Sequence, residues 1–169
     1  MCYTYTMSEI EPQVVALYIA PDKAVPMQSR EVVHAIEGIG LEGDRYAKGI
    51  GAWSKSKIDV KRHASLVSTE AIAAANMENG TNFTPADTRR NIVTQGVDLN
   101  NLVGKEFTIN GVRMHGVELC APCVRPSVLS KKPGFEKAFQ GRGGLRAEIL
   151  SSGDIAVGDP IKEVIIPTS

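Results

Sequence analysis

The sequence predicts a mainly β fold, a closed or partly closed β-barrel with a few short peripheral helices. Many short apolar segments alternate with turn residues, as short strands joined by tight turns require. Sixteen of the 169 residues are glycines, which recur at short intervals and suit such turns. A doubly wound α/β fold needs a helix between most strands, and the sequence supplies too few helical segments for it. We therefore expect a single β-rich domain.

The first half of the chain predicts short strands and one helix. The apolar run Val14 to Ala20 ends at a Pro-Asp pair and is the first predicted strand. Pro26 to Ile36 predicts a second extended segment, whereas the glycine-punctuated stretch Gly38 to Gly51 predicts a loop. Ser65 to Val67 predicts a strand leading into an alanine-rich helix over Ser68 to Ala75, whose first hydroxyls can cap its N-terminus.

The second half predicts a hairpin and further short strands. Asn110-Gly111 strongly favours a type I′ turn, here between strands over Glu106 to Ile109 and Val112 to Val117. Phe135 to Gln140 predicts one or two helical turns, and Gly153-Asp154 predicts a turn. The remaining loop and strands are expected at Pro85 to Asn91, Asn91 to Thr94, Arg146 to Leu150 and Ile161 to Ile166.

Length and charge narrow the functional classes. The chain is long enough for one domain, which we place at residues 14–166 after a flexible N-terminal segment, 1–13. Nineteen basic and nineteen acidic residues balance, which argues against nucleic-acid or membrane-surface partners. No apolar run approaches the roughly 18 residues of a membrane helix, and the start lacks signal-peptide features. We expect a cytoplasmic protein.

The three cysteines predict chemistry rather than structural cross-linking. An odd number does not form a secreted disulfide framework, and Cys2 lies at the terminus. Cys120 and Cys123 form a Cys-x-x-Cys pair directly after the second hairpin strand. Cys123 lies between two prolines that stiffen its loop, and Arg125 is close enough to stabilise a thiolate. A buried, inert thiol is the alternative interpretation of each cysteine.

Two other uses of a Cys-x-x-Cys pair are weaker. A zinc site needs four ligands, and His34, His63 and His115 do not stand at zinc-ribbon or zinc-finger spacing. A thioredoxin-like redox pair belongs at a helix N-terminus within βαβ units, and Pro126 with the β-rich surroundings argues against that context.

Three loops combine arginine with glycine or polar residues, namely Gly40 to Tyr46, Thr88 to Asn91 and Gly141 to Arg146. Guanidinium groups and exposed backbone amides both suit phosphate or carboxylate recognition. Each loop alone has an ordinary explanation as a local ion pair, a solvated edge or a turn. Together with the cysteine loop, they predict a pocket for an anionic small molecule. His63 is a polar candidate for that pocket or a satisfied buried histidine, and Trp53 is a rim residue or a partner contact.

Six short motifs follow one another along the chain: Gly40-Leu41-Glu42-Gly43-Asp44-Arg45, Arg62-His63-Ala64-Ser65-Leu66, Arg89-Arg90-Asn91-Ile92, Gly104-Lys105-Glu106-Phe107-Thr108-Ile109, Pro122-Cys123, and Gly143-Gly144-Leu145-Arg146-Ala147-Glu148-Ile149-Leu150 with Gly158-Asp159. Their succession resembles the MOSC domain, the module named for the C-terminal part of molybdenum cofactor sulfurases. The resemblance runs from about residue 14 to 164 and indicates a stand-alone, single-domain member.

The resemblance implies a barrel of the pyruvate-kinase β-barrel type with a site built around one cysteine, which falls on Cys123. In related amidoxime-reducing enzymes the matching thiolate ligates molybdenum, so Cys123 is both the catalytic and the metal-binding candidate. Arg89 and Asn91 match the residues that hold the pterin of the molybdenum cofactor, molybdopterin. Arg45, Arg146 and His63 complete the candidate cofactor contacts.

This sequence also departs from better-known members of the family. It shows none of the pyridoxal-phosphate domain found in cofactor sulfurases, so pyridoxal phosphate is not expected to bind. It also lacks the N-terminal β-barrel domain of the molybdenum oxidoreductases. Cys120 is an additional thiol that resolves a persulfide or only packs.

Three functions follow from these observations. The first is a molybdenum cofactor protein that reduces N-hydroxylated (N–O) compounds, with a reductase partner, or handles the cofactor itself. The second is a metal-free sulfur carrier or transferase that receives a Cys123 persulfide from a cysteine desulfurase partner. The third is a non-catalytic module that binds an anionic ligand or a partner protein through the same basic loops.

Overall fold

The computed structural model describes residues 10–54 and 59–165, and it confirms a mainly β fold with few short helices. Residues 1–9, most of the segment expected to be flexible, and the end of the last expected strand from residue 166 lie outside the described residues. The strands are β1 Gln13–Ile19, β2 Gln28–Arg30, β3 Val32–Ile36, β4 Gly40–Leu41, β5 Ala64–Ser68, β6 Ile92–Gln95, β7 Glu106–Ile109, β8 Val112–Leu119, β9 Leu145–Ile149, β10 Gly153–Ala156 and β11 Ile161–Glu163. The helices are α1 Thr69–Asn79, α2 Arg125–Ser130 and α3 Phe135–Ala138.

Eight strands form one sheet in the order β11-β7-β8-β9-β5-β6-β1-β2, which curls into a half-barrel. Strand β1 comes close to the segment just before β11, near the other end of the sheet. Two hydrogen bonds join them: the Val14 N–H donates to the Asp159 carbonyl at 3.0 Å, and the Gly158 N–H donates to the Val14 carbonyl at 2.8 Å. A second sheet, β10-β3-β4, contributes buried residues such as Leu41 and Ile155 to the same interior cluster. The observed architecture is therefore the partly closed barrel that the sequence predicts.

Two apolar clusters lie on opposite faces of the curled sheet. Alternate residues of β7, β8 and β9 point inward, including Phe107, Met114 and Leu145, as the two-residue period of a strand requires. On the outer face, α1 and α3 pack against β5 and β6, with the rings of Phe135 and Phe139 stacked at 4.4 Å. Each large side chain fully buried in these clusters stabilises the fold by about 1.5–3 kcal/mol.

Helix α1 begins where the capping residues predict. The Ala71 N–H donates to Ser68 Oγ at 3.0 Å, and the helix ends at Gly80, which has a left-handed backbone with φ +64°. The helix connects β5 to β6, which pair in parallel. Within the described ranges, no helix combines the length and the apolar character needed to cross a membrane.

Four local predictions are wrong. The segment Gly38 to Gly51, predicted as a loop, contains strand β4, which pairs with β3. Gly153-Asp154 begins strand β10, which pairs with β3 along its length, rather than forming a turn. The extended segment Pro26 to Ile36 divides into two strands that belong to different sheets. The expectation that Pro126 argues against a helix N-terminus after the Cys-x-x-Cys pair is also wrong, since helix α2 starts two residues after Cys123. A proline in the first helical turn needs no hydrogen-bond partner for its missing N–H.

Gly144 is required where β9 approaches β5. It has φ +106°, a conformation that residues with a Cβ rarely adopt, and an added Cβ would overlap the carbonyl oxygen of Leu66. Its own carbonyl accepts the Cys120 N–H at 2.8 Å, so the same residue also fixes the end of β8. A side chain at position 144 would therefore separate β5, β9 and the cysteine loop.

The first prediction compares two glycines with left-handed backbones. Gly144→Ala is expected to lower the free energy of unfolding by at least about 2 kcal/mol, because backbone strain and overlap with Leu66 add together. Gly158→Ala, with φ +94° but open space around it, is expected to lose only about 1 kcal/mol. Urea unfolding measures the free energy of unfolding of both variants. Equal losses of stability would contradict the close approach of Gly144 to the Leu66 carbonyl.

His63 is buried and holds the end of β9. Its Nδ1 accepts the backbone N–H of Ile149 at 3.0 Å, which requires that nitrogen to be unprotonated. Burial lowers the pKa of His63 below its ordinary value, although Glu148 and Asp59 act in the opposite direction. The folded protein therefore favours the neutral imidazole.

The second prediction follows from that lowered pKa. As pH falls through about 6.5, the unfolded chain takes up a proton at His63 that the folded chain excludes, so the free energy of unfolding decreases. His63→Asn keeps an acceptor for Ile149 but does not titrate. Its loss of stability between pH 7.5 and 5.5, measured by urea unfolding, is expected to be smaller than that of the unmodified protein. Equal losses in the two proteins would show that His63 does not exclude the proton.

Candidate functional site

One open cleft lies where several loops meet at one end of the curled sheet. Its mouth opens to solvent. The lining residues come from the loop before β5, the start of β5, the segment before β6, the loop between β8 and α2, the first turn of α2, and strand β9. They are Arg45, Tyr46, Trp53, Lys61, Arg62, Ala64, Ser65, Arg89, Arg90, Asn91, Ala121, Cys123, Arg125, Pro126 and Arg146.

The cleft is strongly basic. Seven of its lining side chains are positively charged: Arg45, Lys61, Arg62, Arg89, Arg90, Arg125 and Arg146. Within residues 10–54 and 59–165, no acidic side chain lines it. Because the whole chain has no net charge, this concentration of one sign is local, and it creates a potential that attracts anions.

The Asp44 carboxylate, only 1% exposed, organises the deep side of the cleft. Its Oδ1 accepts the Ala20 N–H at 3.0 Å, Arg45 Nη1 at 3.2 Å and Asn91 Nδ2 at 3.3 Å. A buried carboxylate needs such donors to offset its lost hydration. Asp44 thereby holds Arg45 and Asn91 next to each other.

The side chain of Asn91 uses its hydrogen bonds within the protein. Its Nδ2 donates to the Tyr18 carbonyl at 3.1 Å as well as to Asp44, and its Oδ1 accepts the Ser65 N–H at 3.1 Å. Asn91 therefore lies at the cleft but connects β1, β5 and the Asp44 loop. These bonds fix the point where strand β6 leaves the cleft.

Arg89 has an unusual backbone and a constrained side chain. Its φ is +60°, in the left-handed region that residues other than glycine adopt mainly at special sites. The side chain is 8% exposed, with Nη1 donating to the Val25 carbonyl at 2.8 Å and Nη2 to the Lys23 carbonyl at 3.3 Å. Burial first, and then repulsion by Arg45 and Arg125, lower the pKa of Arg89 to about 10.

The two thiols of the Cys-x-x-Cys pair have different surroundings. Cys120 is 2% exposed and lies outside the cleft, whereas Cys123 is partly exposed and lines it. Both are free thiols. Arg125 lines the same wall as Cys123 and donates from Nη2 to the Lys23 carbonyl at 2.6 Å. The exposed thiol of the pair thus faces a space bordered by guanidinium groups.

The structure brings most of the predicted site residues together. Cys123, Arg45, Arg89, Asn91 and Arg146 all line the cleft, whereas His63 turns its ring into the core toward Ile149 and does not. Trp53 is 52% exposed at the rim. Arg142, from the third predicted loop, instead pairs with Glu78 on the surface at 2.6 Å.

Sequence reasoning did not assign Tyr46, Lys61, Arg62 or Arg90 to the site. Arg62 adjoins His63 at the end of the helical turn Val60–Arg62, and the local sequence does not decide which of the two side chains faces the cleft. Arg90 contacts the motif that begins at Gly143, because its Nε donates to the Gly143 carbonyl at 2.8 Å. A sequence signal existed for Tyr46, Arg62 and Arg90, because each lies directly beside an assigned position, whereas Lys61 does not.

Comparisons with known proteins identify the fold and the family. The family model described as the MOSC domain matches residues 53–162, more than half of the chain, although the Gly40–Arg45 motif precedes the match. The crystal structure of YuaD from Bacillus subtilis superposes with a TM-score of 0.78 at 22% identity, covering 91% of this chain and 96% of that one.

Two YiiM crystal structures share the fold as well. The protein from Geobacillus stearothermophilus gives a TM-score of 0.69 at 14% identity, covering 91% of this chain and 75% of that chain. The protein from Escherichia coli gives 0.67 at 16% identity, with 95% and 72% covered. No curated protein matches the sequence. The family model and the shared fold agree: the chain belongs to the MOSC domain family.

Proposed function

We propose that the cleft binds the molybdenum cofactor, with the Cys123 thiolate as a metal ligand and the basic side chains holding the cofactor's phosphate. The protein would use the cofactor to reduce N-hydroxylated compounds, or would handle the cofactor itself. The observation that carries this proposal is the convergence of seven basic side chains and one partly exposed thiol on a single cleft.

The donor set suits an anionic ligand that carries a soft metal. Burial lowers the pKa of Arg89 most, and the positive charges of Arg45 and Arg125 lower it further; a bound phosphate would relieve that repulsion. Arginine forks also match phosphate oxygens geometrically. Thiolate sulfur is the metal-binding form of cysteine and a soft ligand. These two kinds of group occur together at the cleft wall that Cys123 and Arg125 share.

The chain's own residues would position the ligand and admit the substrate. Arg89 and Arg125 bind backbone carbonyls of the loop over residues 23–25, which keeps their side chains ordered before a ligand arrives. Asp44 fixes Arg45 in the same way. Trp53 lies at the open mouth, where a small substrate would enter. When bound, the cofactor supplies the two-electron reduction of an N–O bond, with electrons from a reductase partner.

A second candidate function is sulfur transfer, which the exposure of Cys123 favours. Its thiolate would attack the outer sulfur of a desulfurase persulfide, forming a Cys123 persulfide and releasing the desulfurase thiolate. Cys120 lies outside the cleft, so Cys123 is the thiol placed to act. A non-catalytic module would need the basic side chains but not Cys123.

The third prediction concerns Arg89. Arg89→Gln removes a charge-assisted contact to phosphate, which is worth about 1.5–3 kcal/mol, so cofactor binding is expected to weaken by roughly 10- to 100-fold. Elemental analysis after dialysis, on protein from a host that makes the cofactor, would then find less molybdenum per chain. Arg113→Gln removes the same charge outside the cleft and is expected to retain the metal. Equal molybdenum in both variants would contradict the assignment of Arg89.

The fourth prediction separates the roles of Cys123. Cys123→Ser is expected to lose most of its molybdenum, because an alcohol is a poor substitute for a thiolate ligand. Cys120→Ser, which alters the thiol outside the cleft, serves as the matched control and is expected to keep the metal.

Full metal retention by Cys123→Ser would overturn metal ligation by this residue. A wild-type protein without molybdenum, whose Cys123 peptide gains one sulfur atom after incubation with a cysteine desulfurase, would support sulfur transfer instead. Mass spectrometry of the peptide distinguishes these outcomes. Wild-type protein that shows neither metal nor persulfide would favour the third function, a non-catalytic binding module.

A further inference from the structure

We propose that the cleft contains two anion subsites, and that the second, formed by Arg62, Arg146 and Lys61, takes the phosphate or carboxylate group of a substrate. The inference rests on the proposed function, because it assigns the first subsite, formed by Arg45, Arg89 and Arg125, to the cofactor's phosphate. The protein would then act on an oxyanion-bearing small molecule rather than on a neutral one.

The basic side chains divide into two groups by position. Arg45 lies in the Asp44 loop, Arg89 in the segment before β6 and Arg125 at the start of α2, and the charges of Arg45 and Arg125 act on Arg89. Lys61 and Arg62 lie in the single helical turn Val60–Arg62, and Arg146 lies on β9. The charge of Arg146 acts on Arg62, whose pKa is lowered by burial first and by Arg146 second.

Tyr46 lies between the two groups. The Arg45 guanidinium carbon is 4.7 Å from the centre of its ring, and that of Arg62 is 5.7 Å from it. Both distances are within the range of cation–π contacts. Gly51 packs directly against this ring, where an added Cβ would overlap it. The ring therefore has a fixed position with one guanidinium from each subsite beside it.

The second subsite has more positive charge than its protein partners neutralise. Glu118 is shared between Lys61 at 3.4 Å and Arg146 at 3.6 Å. Within the described residues, Arg62 has no carboxylate partner, and its buried Nε has no hydrogen-bond partner. A buried guanidinium nitrogen without an acceptor is costly, and a ligand oxygen would satisfy it. Three cations face one paired carboxylate, Glu118, and the charge of Asp59, which leaves a net positive charge for an oxyanion to balance.

The charge of the ligand follows from this arrangement. An oxygen of a neutral substrate would accept the Arg62 Nε N–H but leave the excess positive charge unbalanced, whereas a phosphate or carboxylate would accept the N–H and balance the charge as well. Both subsites border the same cleft as Cys123. A ligand held at the second subsite would thus share one space with a cofactor held at the first.

The fifth prediction uses inorganic phosphate as the probe on molybdenum-loaded protein, where the cofactor already fills the first subsite. Isothermal titration at low ionic strength is expected to show that Arg62→Gln weakens phosphate binding by about tenfold or more, with molybdenum content unchanged. Glu118→Gln is expected to strengthen it by about two- to fivefold, because a competing negative charge is removed. Arg113→Gln, outside the cleft, is the charge-matched control.

Unchanged phosphate affinity in Arg62→Gln would overturn the second subsite. Parallel loss of molybdenum and phosphate would also overturn it, because the cleft would then be one continuous site. If the wild-type protein carries no molybdenum, the proposed function fails, but the inference is still testable on the metal-free protein. Two phosphates should then bind, one lost with Arg89→Gln and the other with Arg62→Gln, and a single binding event would exclude two subsites.

Discussion

The burial of guanidinium groups beside one another at the open end of a curled sheet is the constraint on which the structure of the cleft depends. Arg89 is almost fully buried beside other arginines, and its pKa of about 10 reflects both the burial and the repulsion. A protein places like charges together against such opposition when a ligand of the other sign relieves it. The buried Asp44 and the backbone carbonyls of residues 23 and 25 hold these side chains in place without neutralising the whole set.

The barrel makes this arrangement possible by ending several chain segments at the same place. Strands β5, β8 and β9 are neighbours, so the loops that carry Arg62, Cys123 and the Gly-Gly pair meet beside one another. Gly143 and Gly144 allow backbones to approach where a Cβ would overlap the Cys120 or Leu66 carbonyl. The Gly143 carbonyl also accepts Arg90 Nε. The glycine motif therefore supports the site through backbone contacts rather than through side-chain chemistry.

Much of the fold was predictable from the sequence, because strand alternation and the Asn110-Gly111 turn have local physical causes. Arg45, Arg89 and Cys123 were assigned because arginine-bearing loops and a proline-bounded cysteine suit an anion pocket, and because the order of the motifs resembles the family's. The orientation of His63 and Arg62 depended on how the turn Val60–Arg62 meets β9, where His63 Nδ1 accepts the Ile149 N–H, and no local pattern specifies that contact. Strand β10 was missed for the same reason, since its partner β3 is distant in sequence.

The central claim is that the basic cleft holds a phosphate-bearing molybdenum cofactor at Cys123. The most direct measurement is a crystal structure of protein from a host that makes the cofactor, with anomalous scattering recorded at the molybdenum edge. The account predicts an anomalous peak within the cleft beside the sulfur of Cys123, with ligand density reaching Arg89. A peak in another cavity, or a fully ordered cleft without one, would contradict it.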